Sequence, residues 1–262
     1  DPVFVFDGRP HELKMNTLAG RKSRKIDAVA KWEAAVESGD LSAAKKLGPQ
    51  TAEYTREMVA ETKELFDALG VTWVEAPMEA EGAAAVRNRN GEVAAVASQD
   101  WDTLLYGAPV MIRNLTSHGT RKFGRVLQAE KIVLSEMLDQ HELTYPQLVD
   151  LGIMIGTDFH PGIKGIGPKT GLKLIRKFGT MEAVAEFKEF EMPENIAVIR
   201  EIFLNHPIHP ELLSESSKAV EESLRAFGLS KGFSERRLER AVTRLANANR
   251  LRSESKPTLF DF

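Results

Sequence analysis

Three short apolar runs, each followed within a few residues by carboxylates, most strongly constrain the fold of this chain. They are VFVF at 3–6, VTWVE at 71–75 and VAAVAS at 93–98. Each has the length and the β-branched content of a buried strand, and helical patterns separate them along the chain. Strands that alternate with helices predict an α/β fold with a central, mostly parallel sheet flanked by helices.

The carboxylates behind these runs are expected to meet, because ligands in open α/β sheets bind beyond the carboxyl ends of the strands. A sixth candidate follows a predicted helix at 145–155. The candidates are Asp7, Glu79, Glu81, Asp100, Asp102 and Asp158. Carboxylates crowded into one pocket repel each other unless cations neutralise them, so the sequence predicts a site for metal cations.

The ligand type indicates the class of cation and the chemistry. The chain has no cysteine, which excludes disulfides and thiolate metal sites, and oxygen ligands favour Mg²⁺ or Mn²⁺. Two such ions suit phosphodiester hydrolysis, because they stabilise both the attacking and the leaving oxygen. Either D-x-D or E-x-E alone is more often an ordinary surface or capping motif, and only their shared position behind strands favours the metal site.

Basic residues are segregated from these acids, although the formal net charge of −3 does not itself indicate nucleic-acid binding. They form blocks within residues 14–25, 113–125 and 164–177. For any single block, a solvated surface is an equally good explanation. Taken together, the blocks are suited to holding phosphate groups around an acidic pocket.

A glycine-rich turn, PGIKGIGPKTGLKLI at 161–175, lies between two predicted helices. Its backbone N–H groups can face phosphate, which suggests a helix–hairpin–helix-type element over about 145–178 that grips the duplex backbone. A purely structural turn would explain the glycines but not the lysines. The turn carbonyls are also candidate ligands for K⁺ or Na⁺. The candidate DNA-binding residues are Gly162, Lys164, Gly165, Gly167, Lys169 and Lys173.

Several motifs, in order along nearly the whole chain, resemble the flap endonuclease family of structure-specific 5′ nucleases, particularly its archaeal members. They are VFVFDGRP at 3–10, APMEAEGAAA at 76–85, ASQDWDTLLYG at 97–107 and GTDFHPGIKGIGPKTG at 156–171. The resemblance implies a PIN-like 5′ nuclease fold with a helical arch at about 9–47. It implies 5′ flap endonuclease and 5′-3′ exonuclease activity on branched DNA during Okazaki-fragment maturation and repair. A monomer in the cytoplasm, associated with the nucleoid, is expected.

The resemblance also implies roles for individual residues. Asp7, Glu79 and Glu81 are expected to bind one Mg²⁺ ion, and Asp100, Asp102 and Asp158 the second, with Mn²⁺ able to substitute. Lys14 and Arg21 are expected to be catalytic by steering the scissile phosphate. They are seven residues apart and share one helix face, where cations balance developing negative charge. The alternative for both is a solvent-facing side chain.

Both ends of the chain depart from the family pattern. The chain starts inside a strand, so an N-terminal segment with a further metal-binding Asp is expected to precede the nuclease domain at 1–252. The tail at 253–262 is expected to be flexible and to bind a sliding clamp weakly, because Lys256 stands where the family pattern has Gln. Its candidate clamp-binding residues are Leu259, Phe260 and Phe262.

Three functions remain open on the sequence. The first is a structure-specific 5′ flap endonuclease. The second is a non-catalytic DNA- and clamp-binding fragment, since the family's N-terminal metal-binding Asp is not among these residues. The third is a related repair nuclease or polymerase-linked 5′ exonuclease, which the clamp-like tail and the short arch disfavour. No apolar run has the length of a membrane span.

Overall fold

The computed structural model describes residues 1–122, 124–210, 213 and 221–253. Strands and helices alternate through the first half of the chain, and helices make up the second half. The strands are β1 (Val3–Phe6), β2 (Thr72–Glu75), β3 (Val96–Ala97), β4 (Val110–Arg113), β5 (Arg121–Lys122), β6 (Arg125–Val126) and β7 (Glu130–Val133). The helices are α1 (Met15–Glu37), α2 (Leu41–Thr51), α3 (Arg56–Leu69), α4 (Ala80–Arg89), α5 (Asp102–Leu105), α6 (Leu134–Gln140), α7 (Tyr145–Ile155), α8 (Pro168–Phe178), α9 (Met181–Lys188), α10 (Ile196–Leu204), α11 (Glu221–Ser230) and α12 (Glu235–Ser253).

Two parallel strand pairs position the acidic residues, which follow their strands in the sequence. β1 pairs with β2 in parallel, with Val3 opposite Thr72, and β3 pairs with β4 in parallel. β7 adds to β4 in the antiparallel direction, while β5 and β6 form a separate hairpin. Helix α4 contacts both β1 and β3 and therefore links the two parallel pairs. The predicted α/β fold class is confirmed, with its parallel pairing divided in the described residues between two small sheets, β1–β2 and β3–β4–β7.

The main hydrophobic core lies among helices α7 to α10. Its fully buried side chains include Ile153, Ile175, Met181 and Phe203. Arg200 fastens the same helices together, because its guanidinium donates to both carboxylate oxygens of Asp150 at 2.7 and 2.8 Å. This core supports the two helices on either side of the glycine-rich turn. No helix in the described part of the chain combines the length and the apolar character needed to cross a membrane.

Helix α4 begins later than the sequence suggests. Proline suits the first turn of a helix, so the sequence predicts a helix start at Pro77. The helix instead begins at Ala80, with Glu79 as its N-cap. The Pro77 and Met78 carbonyls instead accept hydrogen bonds from the N–H groups of Arg9 and Gly8, at 3.3 and 2.7 Å. The segment is therefore held extended by the loop after β1, and the expected start at Pro77 is wrong.

The sequence also suggests a helix break at Gly48-Pro49 and a turn in a β-ribbon near His118-Gly119. The helix expected to break at Gly48-Pro49 continues as α2 to Thr51, because a proline in the last turn removes only one helical hydrogen bond. The chain does turn at His118-Gly119, where the N–H of Thr120 donates to the carbonyl of Ser117 at 3.1 Å, but the ribbon does not end at that point. There the N–H of Gly119 donates to the carbonyl of Leu127 at 2.8 Å, and the β5–β6 pair follows further along the chain.

Candidate active site

Six carboxylates and two cationic side chains surround one cavity of about 150 Å³. The cavity brings together all eight residues that the sequence suggests for metal binding and catalysis, although they come from widely separated parts of the chain. The lining residues are Asp7, Lys14, Arg21, Glu79, Glu81, Asp100, Asp102, Tyr106, Asp158 and Phe159.

The first acidic group lies where β1 and β2 lead into α4. The Asp7 carboxylate accepts a hydrogen bond of 2.8 Å from the N–H of Ala80, which fixes it at the start of that helix. Glu79 is extended, with φ −78° and ψ 131°, whereas Glu81 lies in the first helical turn. The change of backbone conformation lets residues two apart face one point. Carboxylate oxygens of Asp7, Glu79 and Glu81 lie within 4.8 Å of one another.

The second acidic group lies beyond β3 and α7. The N–H of Asp102 donates to Oδ1 of Asp100 at 3.0 Å, so the two carboxylates share one tight turn at the start of α5. Asp158 reaches the cavity from the loop after α7. Burial, reinforced by the charges of Asp100 and Asp158, raises the pKa of Asp102 to about 7. Burial also raises the pKa of Glu81. The cavity therefore carries more negative charge than its own cations neutralise.

Two cations point into this cavity, one from the N-cap of α1 and one from within that helix. Nζ of Lys14 forms ion pairs with Glu79 and, at 3.2 Å, with Asp158. Nη2 of Arg21 lies 2.7 Å from Oδ1 of Asp158. Burial lowers the pKa of Lys14, but its bonds and charge attraction to Glu79 and Asp158 outweigh burial and raise it overall. The Lys14 side chain is only 13% exposed and that of Arg21 is 53% exposed, so the solvent-facing alternative is wrong for Lys14.

Two aromatic residues in the cavity wall were not among the sequence candidates. Tyr106, at the end of α5, is 2% exposed and lies edge-on to His206 at 4.9 Å between ring centroids. Burial raises the pKa of Tyr106 well above its ordinary value, which keeps its hydroxyl protonated. Phe159 directly follows Asp158. A Cβ at Gly82 would lie 2.6 Å from the His206 ring, so this glycine allows α4 to pack closely on the aromatic wall.

The glycine-rich turn lies outside the lining of this cavity, between α7 and α8. Gly156, Gly162 and Gly165 have φ of 120°, 86° and 84°, in the region that favours glycine. Ile166 is buried against the core. The turn is thus held to the hydrophobic core by the apolar side chain of Ile166. Its three predicted DNA-binding lysines, by contrast, are exposed; they are Lys164, Lys169 and Lys173.

Two of these glycines are expected to differ in their tolerance of alanine. A Cβ at Gly162 would lie 2.4 Å from the carbonyl oxygen of Ile155, whereas a Cβ at Gly165 would meet open space. Gly165→Ala should lower the free energy of unfolding by about 1–2 kcal/mol through its left-handed backbone alone. Gly162→Ala should lose a further 1–3 kcal/mol or so, because the carbonyl must move. Urea denaturation of both variants measures the difference, and equal losses would contradict the close approach.

Comparison with known proteins extends the similarity beyond the cavity. Residues 70–158 match the XPG I-region family. Flap endonuclease 1 of Methanoculleus marisnigri is 41% identical over 249 residues, which is 94% of this chain and 74% of that protein. Flap endonuclease 1 of Aeropyrum pernix is 38% identical over 269 residues, which is 99% of this chain and 77% of that protein.

Solved structures give the same result in three dimensions. The flap endonuclease-1 from Methanococcus jannaschii superimposes with a TM-score of 0.69 at 33% identity, covering 96% of this chain and 76% of that one. The catalytic core of Rad2 in complex with DNA substrate also reaches a TM-score of 0.69, over 92% of this chain and 77% of that one. At 20% identity, this second match indicates a shared fold alone.

Proposed function

This chain belongs to the flap endonuclease family, and on that basis we propose that it hydrolyses the phosphodiester bond where a 5′ flap leaves duplex DNA. Such cleavage serves Okazaki-fragment maturation in DNA replication and also DNA repair. The observation that carries the proposal is the single cavity where six carboxylates meet two cationic side chains. The Rad2 core, which shares the fold, is known in complex with DNA substrate, and this supports DNA as the ligand.

We propose that the cavity holds two divalent cations, Mg²⁺ with Mn²⁺ able to substitute. Its ligands are oxygen atoms only, which suits these ions. When ionised, six carboxylates opposed by Lys14 and Arg21 leave a formal charge of −4, which two divalent cations balance. Asp7, Glu79 and Glu81 would hold one ion, and the second group of carboxylates would hold the other. Bound divalent cations supply Lewis-acid stabilisation of the phosphate and activate water for attack.

The chain's own cations complete the chemistry. In the structure, Lys14 and Arg21 are paired with cavity carboxylates. With divalent cations held by those carboxylates, Lys14 and Arg21 would be available to contact a phosphate in the same cavity. Fixed positive charge at this position stabilises negative charge that develops on the phosphate during cleavage. Tyr106 and Phe159 form the aromatic part of the same cavity wall.

We propose that the helix–hairpin–helix-type element at about 145–178 grips duplex DNA beside the cavity. Its exposed lysines supply phosphate contacts without base readout, together with backbone groups of the turn at Gly162, Gly165 and Gly167. A K⁺ ion bound by turn carbonyls would further favour phosphate. The nuclease domain at 1–252, with its arch at about 9–47, is proposed to act as a monomer at the nucleoid.

We also propose that the C-terminal tail contacts a sliding clamp. The candidate residues Leu259, Phe260 and Phe262 lie outside the described residues. The support for this contact is the resemblance of the tail to a clamp-binding motif. A tail that folds on its partner binds weakly relative to its contact area, because it is ordered only on binding.

Removing turn lysines should reduce the salt dependence of DNA binding. Lys169 and Lys173 are exposed and one helical turn apart on α8. Lys169→Ala with Lys173→Ala should lower the slope of log K against log salt by about 2, since each phosphate contact contributes about 1. Fluorescence anisotropy of labelled flap DNA in chelator measures the slope. Lys188→Ala, an exposed lysine at the end of α9, is the matched control, and an unchanged slope in the double variant would refute the contact.

Flap cleavage tests the proposed function directly. The purified chain is incubated with an end-labelled 5′-flap substrate, a nicked duplex and a single strand, in Mg²⁺, Mn²⁺ or chelator. We expect metal-dependent cleavage at the flap junction in preference to the single strand. A second protein carries the N-terminal segment of the M. marisnigri relative in front of residue 1. Flap binding without cleavage by both proteins would overturn the proposal.

A further inference from the structure

Trp101 is an exposed aromatic residue on the rim of the cavity. Its side chain is 52% exposed, which is unusual because tryptophan is highly buried on average. In the chain it lies directly between Asp100 and Asp102, which both line the cavity. Trp101 is neither a proposed metal ligand nor a charged group, although it lies next to residues of the reaction site.

The backbone around Trp101 is fixed by hydrogen bonds on both sides. The N–H of Asp100 donates to Oγ of Ser98 at 3.0 Å, and the N–H of Asp102 donates to Oδ1 of Asp100 at 3.0 Å. The Trp101 carbonyl accepts from the N–H of Leu104 at 3.0 Å as α5 begins. A ring held on such a turn loses little conformational entropy when a ligand packs on it.

The guanidinium of Arg113 packs against one face of the Trp101 ring. The central guanidinium carbon of Arg113, on β4, lies 4.1 Å from the centre of the Trp101 ring. On its other side, Nη1 of Arg113 lies 3.9 Å from Oε2 of Glu130 on β7, the residue opposite it in the strand pair. One face of the indole is therefore covered by a cation, and because the residue is 52% exposed, we take its open surface to be on the side away from Arg113.

We propose that the open face of Trp101 stacks on a nucleobase next to the scissile phosphate and so positions the strand over the carboxylates. The inference rests on the proposed function, since it requires DNA in the cavity. Trp101 lies in the chain between Asp100 and Asp102, which both line the cavity proposed to hold the scissile phosphate. The base within reach is therefore one that flanks the phosphate. Flap bases are unpaired, and every base offers a π-face.

A purely structural role would make Trp101 a cover for Arg113. The two roles predict different effects of the substrate. Only stacking makes the contribution of Trp101 to DNA binding depend on a base at one particular position. Trp101 is thus a positioning residue, and its removal should act mainly on the binding of DNA with that base present.

The test compares Trp101→Ala and Trp101→Phe on flap substrates with no lesion or with one abasic site, placed either 5′ or 3′ of the scissile phosphate. On intact flap, Trp101→Ala should raise KM about 5- to 140-fold, the equivalent of about 1–3 kcal/mol for one stacked base, with a smaller change in kcat. Trp101→Phe should recover most of the loss. On one of the two abasic substrates, Trp101→Ala and the unaltered protein should have the same KM.

Phe187→Ala is the matched control. Phe187, on α9, is 54% exposed and has the Lys177 ammonium 5.3 Å from its ring centre, so it resembles Trp101 in exposure and in its cationic neighbour. It does not line the cavity. Its removal should leave KM unchanged on all substrates. Thermal melting of each variant separates a loss of stacking from a loss of folding.

A second readout does not depend on cleavage. With 2-aminopurine at the flanking position and metal chelated, binding should quench its fluorescence in the unaltered protein and in Trp101→Phe, but not in Trp101→Ala. Equal quenching in Trp101→Ala, or the same KM penalty on both abasic substrates, would overturn stacking. If no protein cuts flaps but the quench still depends on Trp101, the proposed function fails and stacking stands.

Discussion

Asp100→Ala is expected to lower the single-turnover rate of flap cleavage by about 10³-fold or more, while flap binding is retained or slightly tightened. Asp100 lines the cavity and also accepts the hydrogen bond that sets Asp102, so its loss removes a proposed ligand and loosens a second. Losing about 4 kcal/mol of metal-based transition-state stabilisation gives a rate effect of this size. Removal of a negative charge beside DNA cannot weaken its attraction.

The rate is measured with protein in excess over labelled flap, and binding is measured by anisotropy in chelator. Asp139→Ala is the control, because Asp139 is an exposed aspartate on α6 and does not line the cavity. We expect that variant to cut at the normal rate. A single-turnover rate of Asp100→Ala within tenfold of that of the control would contradict the role of Asp100 as a metal ligand.

The convergence of the acids could be predicted from sequence because it depends on strand direction. Asp7 and Glu79 are far apart in the chain, but parallel pairing of β1 with β2 brings their carboxyl ends to one edge. The hydrogen bond from the N–H of Ala80 to Asp7 is the local result of that pairing. The rule that ligands bind beyond the carboxyl ends of parallel strands therefore predicts where carboxylates that follow such strands will lie.

The details that sequence could not supply depend on partners distant in the chain. Whether Pro77 starts a helix is decided by the N–H groups of Gly8 and Arg9, which take the carbonyls of that segment. Tyr106 becomes a cavity wall because His206, at the end of α10, packs against its ring and fits over Gly82. Apolar periodicity marks such residues as core, but it does not say which part of the core borders the site.

Lys14→Ala is expected to lower the single-turnover rate by about 10²- to 10³-fold at saturating DNA, the cost of losing one preorganised charge aimed at the reacting group. Nζ of Lys14 bridges Glu79 and Asp158, which belong to the two proposed metal-binding groups, so it lies between them. In the structure these two carboxylates raise the pKa of Lys14, so the group that reaches the cavity is a charged ammonium. Because the ammonium acts where charge develops, kcat should fall more than KM rises.

Two neighbours on α1 make this prediction specific. Lys22→Ala removes an exposed lysine and should leave the rate unchanged. Arg21→Ala should have a smaller effect than Lys14→Ala, because Arg21 is half exposed and pairs only with Asp158 among the cavity carboxylates of the described structure. Lys14→Arg should restore only part of the rate, since a planar guanidinium does not reproduce a point charge between two carboxylates. If Lys14→Ala instead raised KM with kcat unchanged, Lys14 would hold the DNA without stabilising the transition state, and the charge-stabilising role would pass to the metal ions alone.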